Sequence, residues 1–147
     1  MSHYFDYAAT QPMRQAAIDA WIAAAGSVNS GAQYASGRES RSVLDDAREK
    51  VAELLGCEPI EVIFTASGTE ADNIAIQGLY RAAERGPEER RTRRIISTPI
   101  EHPAVRDTVA TLERQGATVE LLPVDRHSRV SDLSALDTPA DLATCMW

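Results

Sequence analysis

Residues 63–73 read I-F-T-A-S-G-T-E-A-D-N, and this stretch decides the fold. A short apolar run, a turn of small residues and the start of an amphipathic pattern predict a strand that leads into a helix. Such a helix start leaves backbone N–H groups unpaired, which favours an anion such as a phosphate. Gly68 permits close backbone approach, and Thr69 adds a hydroxyl donor. Taken alone, the turn is better explained as an ordinary helix start with Ser67 or Thr69 as N-cap. No Gly-Lys-Ser/Thr follows, which excludes a nucleotide P-loop.

Helical and strand patterns alternate along the rest of the chain. Strands separated by helices indicate an α/β fold with helices around a largely parallel sheet. The length of 147 residues predicts a single domain over residues 1–147. The predicted helices are 13–25, 38–55, one that follows Ser67, 103–115 and a short one at 131–136; the predicted strands are 62–65, 95–98, 118–123 and 142–147.

Composition and charge exclude several classes of protein. Apolar residues at 44% and charged residues at 25% are ordinary globular values. The net charge of -7 argues against nucleic acid or an anionic membrane as a partner. No apolar run approaches the roughly 20 residues of a spanning helix, and no secretory signal is visible at the N-terminus. We therefore expect a cytoplasmic protein.

Cysteine and lysine are scarce. Cys57 lies in a turn and is expected to be exposed, whereas Cys145 lies in an apolar run and is expected to be buried. Two cysteines this far apart predict neither a disulfide framework nor a zinc site, and no metal site is predicted. Lys50, the single lysine, flanks the apolar stripe of the second helix, so its ammonium group is expected in water.

Two motifs follow predicted strands. Gly68 and Thr69 come after the first strand, and Glu101 and His102 come after the second. Ligands of open α/β sheets gather beyond the carboxyl ends of the strands, so Gly68, Thr69 and His102 are predicted to face one cleft. The pattern alone favours a helix-capping or surface role for His102.

An ordered set of motifs resembles a known family. Residues 4–12 read Y-F-D-Y-A-A-T-Q-P, and Gly37-Arg38, Ala47-Arg48-Glu49, Leu55-Gly56, S-G-T-E at 67–70 and Ile100-Glu101-His102-Pro103 follow. In this order and spacing they resemble the amino-terminal part of the cysteine desulfurases, which belong to the class V aminotransferase group of pyridoxal 5'-phosphate (PLP) enzymes. The resemblance covers residues 4–147. It implies the large domain of a fold-type I PLP enzyme, present in part.

The resemblance also implies site residues and an activity. Gly68 and Thr69 would hold the PLP phosphate, and His102 would stack on the pyridine ring and handle protons. The complete enzyme would be a homodimer that takes sulfur from L-cysteine, leaving alanine and an enzyme persulfide, and passes it to an acceptor protein, as in iron–sulfur cluster assembly. The family's cofactor-binding lysine, mobile-loop cysteine and carboxylate-binding arginine match no residue here. We therefore expect this chain to be inactive alone.

Some positions depart from the family pattern. Asn29-Ser30-Gly31-Ala32-Gln33-Tyr34 stands where the family has Asn-Pro-Ser-Ser-x-His, Gln11 where it usually has threonine, and Ser67 where glycine is usual. These departures put the substrate in doubt, and two alternatives stay open. The chain could come from another class V PLP enzyme, such as a selenocysteine lyase or an aminotransferase, or it could be a non-enzymatic remnant.

Overall fold

The computed structural model describes residues 3–88 and 91–146. They group into two compact units, Met1–Phe64 and Thr65–Trp147. The assignment of residues 1–147 to one large domain stays a prediction. Within the described ranges, no helix is long and apolar enough to cross a membrane.

The first unit is built from two helices. Helix α1 spans Gln15–Ala24 and helix α2 spans Ala35–Leu55, and a 3₁₀ turn follows at Pro59–Glu61. Both helices occur where the sequence predicts them, with ends shifted by a few residues. Helix α2 ends at Gly56, whose φ of 69° is the left-handed conformation that glycine adopts without strain.

Close backbone packing at the start of α2 requires Gly37. A Cβ built on this buried residue would lie 2.5 Å from the carbonyl oxygen of Ala32. Nearby, the Val28 N–H donates to Ser40 Oγ at 2.9 Å, which ties the segment before α2 to the helix. The connection between α1 and α2 is therefore fixed by a small residue and a buried hydroxyl.

The predicted strand 62–65 is wrong, because the structure has no strand there. A strand needs a neighbour for its backbone groups, and among the described residues the Val62 carbonyl instead accepts from Arg48 Nε at 3.2 Å. The same guanidinium lies 5.7 Å from the centre of the Phe64 ring. The segment is apolar but unpaired, and Ile63 is 66% exposed.

The second unit contains a parallel sheet covered by helices. Its elements are α3 (Gly68–Arg85), β1 (Arg94–Ser97), α4 (Pro103–Arg114), β2 (Thr118–Leu121), a 3₁₀ turn (Ser134–Asp137) and β3 (Leu142–Ala143). The strand order is β2-β1-β3, with Ile95 opposite both Val119 and Leu142 in parallel register. The predicted α/β class with a parallel sheet is confirmed, although the short helix predicted at 131–136 is a 3₁₀ turn.

One apolar core holds α3 and α4 together with the sheet. Ile95 of β1 is fully buried, and it clusters with Tyr80 of α3 and Leu112 of α4. Since each side chain of this size contributes about 1.5–3 kcal/mol when buried, this cluster fixes both helices in the unit. The remaining buried members are Ile76, Val109, Ala117 and Leu142.

The end of the chain differs from the expectation. Strand β3 is only two residues long, although Thr144 N–H still donates to the Ile96 carbonyl at 2.9 Å. Trp147, the last residue of the predicted strand, lies outside the described residues. Cys145 was expected to be buried and is exposed, because the chain has left the sheet before reaching it. Cys57 was expected to be exposed and is half-buried.

Candidate functional site

The start of α3 is fixed by two of its own side chains. Ser67 is the N-cap, and its Oγ accepts the Glu70 N–H at 3.2 Å. Glu70 Oε2 in turn accepts the Ala66 N–H at 2.8 Å. This reciprocal pair resembles a capping box and satisfies N–H groups that the helix cannot. The structure therefore confirms Ser67 as the N-cap of α3, one of the two caps that the turn alone predicts.

The capping leaves a set of free donors at the turn. The Ala71 N–H donates to the Ser67 carbonyl at 3.1 Å, whereas the N–H groups of Gly68 and Thr69 donate to no other described residue. A Cβ built on Gly68 would meet nothing within 4 Å, so the backbone there is open to a ligand. Thr69 is exposed and adds its hydroxyl. Two N–H groups and one hydroxyl at a helix N-terminus suit an anion.

His102 occupies the corresponding position on the neighbouring helix. It is exposed and caps α4, with Nδ1 accepting the Ala104 N–H at 3.1 Å. A nitrogen that accepts a hydrogen bond carries no proton, so this geometry requires the tautomer with its proton on Nε2. The helix-capping interpretation is therefore correct, and it fixes the tautomer.

A single cleft joins the two helix starts. It has a volume of about 440 Å³, and Thr69 lines it from α3 while His102 lines it from the start of α4. Gly68 precedes Thr69 and is not among the lining residues. Small-molecule sites typically have volumes of about 300–1,000 Å³. The other lining residues are Asn73, Gln77, Pro103, Ala104, Asp107, Thr108 and Thr111.

The loop between β1 and α4 holds two buried polar atoms. Thr98 Oγ1 and Glu101 Oε1 have no hydrogen-bond partner within the part of the chain that the structure describes. Glu101 is 8% exposed and does not line the cleft. Buried polar groups are nearly always paired in native proteins, so these two oxygen atoms are expected to have further hydrogen-bond partners. The sequence motif singles out Glu101 but gives no sign that its carboxylate is buried.

The other candidate side chains lie elsewhere. Lys50 is exposed on α2, in the first unit. His3 and His127 are both exposed, and the His127 N–H donates to Asp125 at 2.7 Å within a turn. Across residues 3–88 and 91–146, no group of three or more metal-ligating side chains could hold a metal ion. Thr69 and His102 are therefore the candidate residues that line one cleft, which we call the α3–α4 cleft.

Comparison with known proteins identifies close relatives. The chain is 44% identical to an IscS-like cysteine desulfurase of Mycobacterium tuberculosis, over 98% of this chain and 38% of the relative. Among solved structures it is similar to a NifS-like protein, with a TM-score of 0.74 and 34% identity over 85% of this chain and 33% of the other. It is also similar to SspA in complex with cysteine, with a TM-score of 0.69 and 31% identity over 84% and 35% of the two chains.

These matches cover most of this chain but only part of each relative. The chain spans roughly a third of the length of these relatives, from 33% to 38%. The sequence pattern of the aminotransferase class-V family matches residues 3–144, which is nearly all of the chain. The chain therefore belongs to the class-V aminotransferase family.

Proposed function

We propose that this chain is the phosphate-binding part of a PLP-dependent cysteine desulfurase. The observation that carries the proposal is the cleft that joins the free donors of Thr69 to the imidazole of His102. The similarity to a cysteine desulfurase and to a protein whose structure holds cysteine supports L-cysteine as the substrate. The complete protein would break the C–S bond of L-cysteine, leave alanine, and move the sulfur to a thiol as a persulfide.

The residues present fit the phosphate of PLP. The N–H groups of Gly68 and Thr69 and the Thr69 hydroxyl are donors, and the open space at Gly68 lets a phosphate oxygen approach the backbone. The start of α3 adds a positive helix end, which favours the dianionic group. When bound, PLP supplies an electron sink for bond breaking at the substrate's Cα and Cβ.

His102 would act on the ring side of the cleft. Because Nδ1 is held by the Ala104 N–H, the ring orientation is set by the backbone of α4. The flat imidazole would stack on the pyridine ring, and Nε2 would hold the proton that the reaction moves. These roles are part of the proposal.

Three parts of the family's machinery match no residue of the chain. Lys50 is exposed on α2 and does not line the α3–α4 cleft, whereas covalent attachment of PLP requires a lysine within the cofactor pocket. Neither Cys57 nor Cys145 matches the cysteine that takes the sulfur. We therefore assign the attachment lysine, the acceptor cysteine and the carboxylate-binding arginine to residues outside these 147. The homodimer and a sulfur-acceptor protein belong to the same proposal for the complete protein.

Borohydride reduction tests the proposal on the purified chain. After incubation with PLP, we expect no stoichiometric adduct on Lys50 and no sulfide release from L-cysteine. The longer protein that contains this sequence should release sulfide and alanine from L-cysteine in equal amounts, and T69V should weaken its PLP binding. A stoichiometric Lys50 adduct with sulfide release from the short chain would overturn the proposal. A longer protein that leaves L-cysteine intact while it acts on another amino acid would overturn the assigned substrate.

A further inference from the structure

Helix α3 carries a continuous row of hydrogen bonds along one face. Three side chains form this row, and we call it the relay: Arg81, Gln77 and Asn73. Arg81 Nη2 donates to Gln77 Oε1 at 2.9 Å, and Gln77 Nε2 donates to Asn73 Oδ1 at 3.0 Å. Asn73 Nδ2 then donates to the Thr69 carbonyl oxygen at 2.9 Å. Side chains four residues apart lie above one another on a helix, which is why the chain runs unbroken from Arg81 to Thr69.

The direction of this chain is set by Arg81. A guanidinium can only donate, so Gln77 must turn its oxygen toward Arg81 and its NH₂ group toward Asn73. Asn73 must then turn its oxygen toward Gln77, which leaves its NH₂ group for Thr69. The Thr69 carbonyl oxygen, which can only accept, requires the same orientation of Asn73 from the other end.

This row of hydrogen bonds ends at the peptide group between Thr69 and Glu70. The carbonyl oxygen of this peptide accepts from Asn73, and its N–H, which belongs to Glu70, donates to Ser67 Oγ at 3.2 Å. A peptide plane that is held at both ends cannot rotate freely about the neighbouring bonds. The Thr69 Cα, which carries both the hydroxyl side chain and the Thr69 N–H, is therefore held from its C-terminal side.

We propose that Arg81, Gln77 and Asn73 are positioning residues for the phosphate of PLP at the Gly68–Thr69 turn, a role that rests on the proposed function. Asn73 and Gln77 also line the α3–α4 cleft, but Arg81 does not. At a rise of 1.5 Å per residue, Arg81 lies about 18 Å along the helix from Thr69, so it acts through the two amides. A turn that is ordered in advance loses less entropy when it binds an anion.

Replacing the hydrogen-bond donor at Arg81 with an acceptor tests the relay. In R81E the carboxylate accepts only, so Gln77 can bond to it only through its NH₂ group. Either the Gln77–Asn73 bond is then lost, or Asn73 also flips and turns its oxygen toward the Thr69 carbonyl oxygen. We expect the Kd for PLP, measured from the NMR shifts of the Gly68 and Thr69 amides, to rise by about 3- to 10-fold, the range set by one net hydrogen bond. R81K keeps a donor and should stay within about 2-fold of the unaltered chain.

Arg85 offers a matched control on the same helix. It is exposed in the last turn of α3 and lies outside the relay, so R85E makes the same charge change without touching the amides. We expect R85E to change the Kd for PLP by less than about 2-fold, since its charge is screened by solvent. Pyridoxal, which lacks the phosphate, should bind R81E and the unaltered chain alike, as measured from the NMR shifts of the His102 ring. In an N73A background, R81E should cause no further loss.

The outcomes separate the relay from the proposed function. Circular dichroism first checks that each variant keeps its helices. Three results would overturn the relay while PLP binding stands. R81E and R85E could raise the Kd for PLP equally, R81E could weaken pyridoxal binding as much as PLP binding, or R81E could raise the Kd for PLP in the N73A background as much as it does alone. If PLP leaves the Gly68 and Thr69 amides of the unaltered chain unshifted, the proposed function fails, and the positioning role fails with it.

Discussion

The two units of this chain both carry large apolar side chains, yet they bury them very differently. In the unit Thr65–Trp147, Ile95 and Leu112 are 0% and 1% exposed. In the unit Met1–Phe64, α1 has no buried residue, and Trp21 is 68% exposed. The difference is the parallel sheet, which gives α3 and α4 a common apolar surface. An apolar pattern predicts a helix, but a neighbouring surface is needed to bury it.

The largest expected effect contrasts the same residue type in the two units. I95A removes a fully buried side chain and should lower the free energy of unfolding by about 2–5 kcal/mol. I63A, at a site that is 66% exposed, should change it by less than about 0.5 kcal/mol. Urea denaturation followed by circular dichroism measures both. Equal losses for the two variants would show that the first unit also has an apolar core at Ile63.

A second contrast compares two glycines. G37A forces a Cβ to within 2.5 Å of the Ala32 carbonyl and should destabilise the first unit by about 1–3 kcal/mol. G78A has nothing within 4 Å and lies inside α3, so it should stabilise the second unit by about 0.5–1 kcal/mol. Hydrogen exchange of the α2 and α3 amides reports each unit separately. Unchanged protection of α2 in G37A would contradict the close packing.

The sequence predicts the helices better than it predicts strand pairing. The order of apolar runs, Gly56 and Pro103 were enough to place α2 and α4 within a few residues. The predicted strand 62–65 failed because pairing depends on a neighbouring strand, which local pattern does not report. The rule that ligands gather at strand ends predicts one cleft for Gly68, Thr69 and His102. Thr69 and His102 do line one cleft, although no strand precedes Thr69 in the described part of the chain and Gly68 is not among the lining residues. The relay through Asn73 and Gln77 has the four-residue spacing of one helix face, but this spacing alone does not show which side chains bond to each other or which way each amide points.

The cap of α3 gives a smaller effect. S67A removes the acceptor of the Glu70 N–H and should cost about 1 kcal/mol of stability in the second unit. S67G, which restores the residue usual in the family, should cost only a few tenths of a kcal/mol, because water reaches the freed N–H. Urea denaturation of the two variants checks this order. A larger loss for the glycine than for the alanine would contradict the capping role of Ser67.

The smallest effect concerns alkaline pH. Burial raises the pKa of Tyr80, with Glu84 and Asp141 adding to the shift. The unfolded chain therefore ionises this tyrosine at lower pH than the folded chain does. The stability from neutral Tyr80 is complete below a pH of about 10 and declines as pH rises toward the folded pKa.

Y80F tests this pH dependence. The variant should flatten the decline in unfolding free energy between pH values of about 9 and 11, whereas Y34F, at an exposed site, should keep it. Urea denaturation at a series of pH values gives the slope. The same slope for Y80F and the unaltered chain would show that Tyr80 plays no part.

If Gly68, Thr69 and His102 serve one PLP molecule, an NMR titration of the chain with PLP will detect all three. We predict that the Gly68 and Thr69 amides and the His102 ring shift with a single Kd, and that the PLP ring protons show nuclear Overhauser contacts to the His102 ring. Pyridoxal should leave the two amides unshifted. Separate dissociation constants for the turn and the imidazole, or ring contacts that exclude His102, would contradict the account.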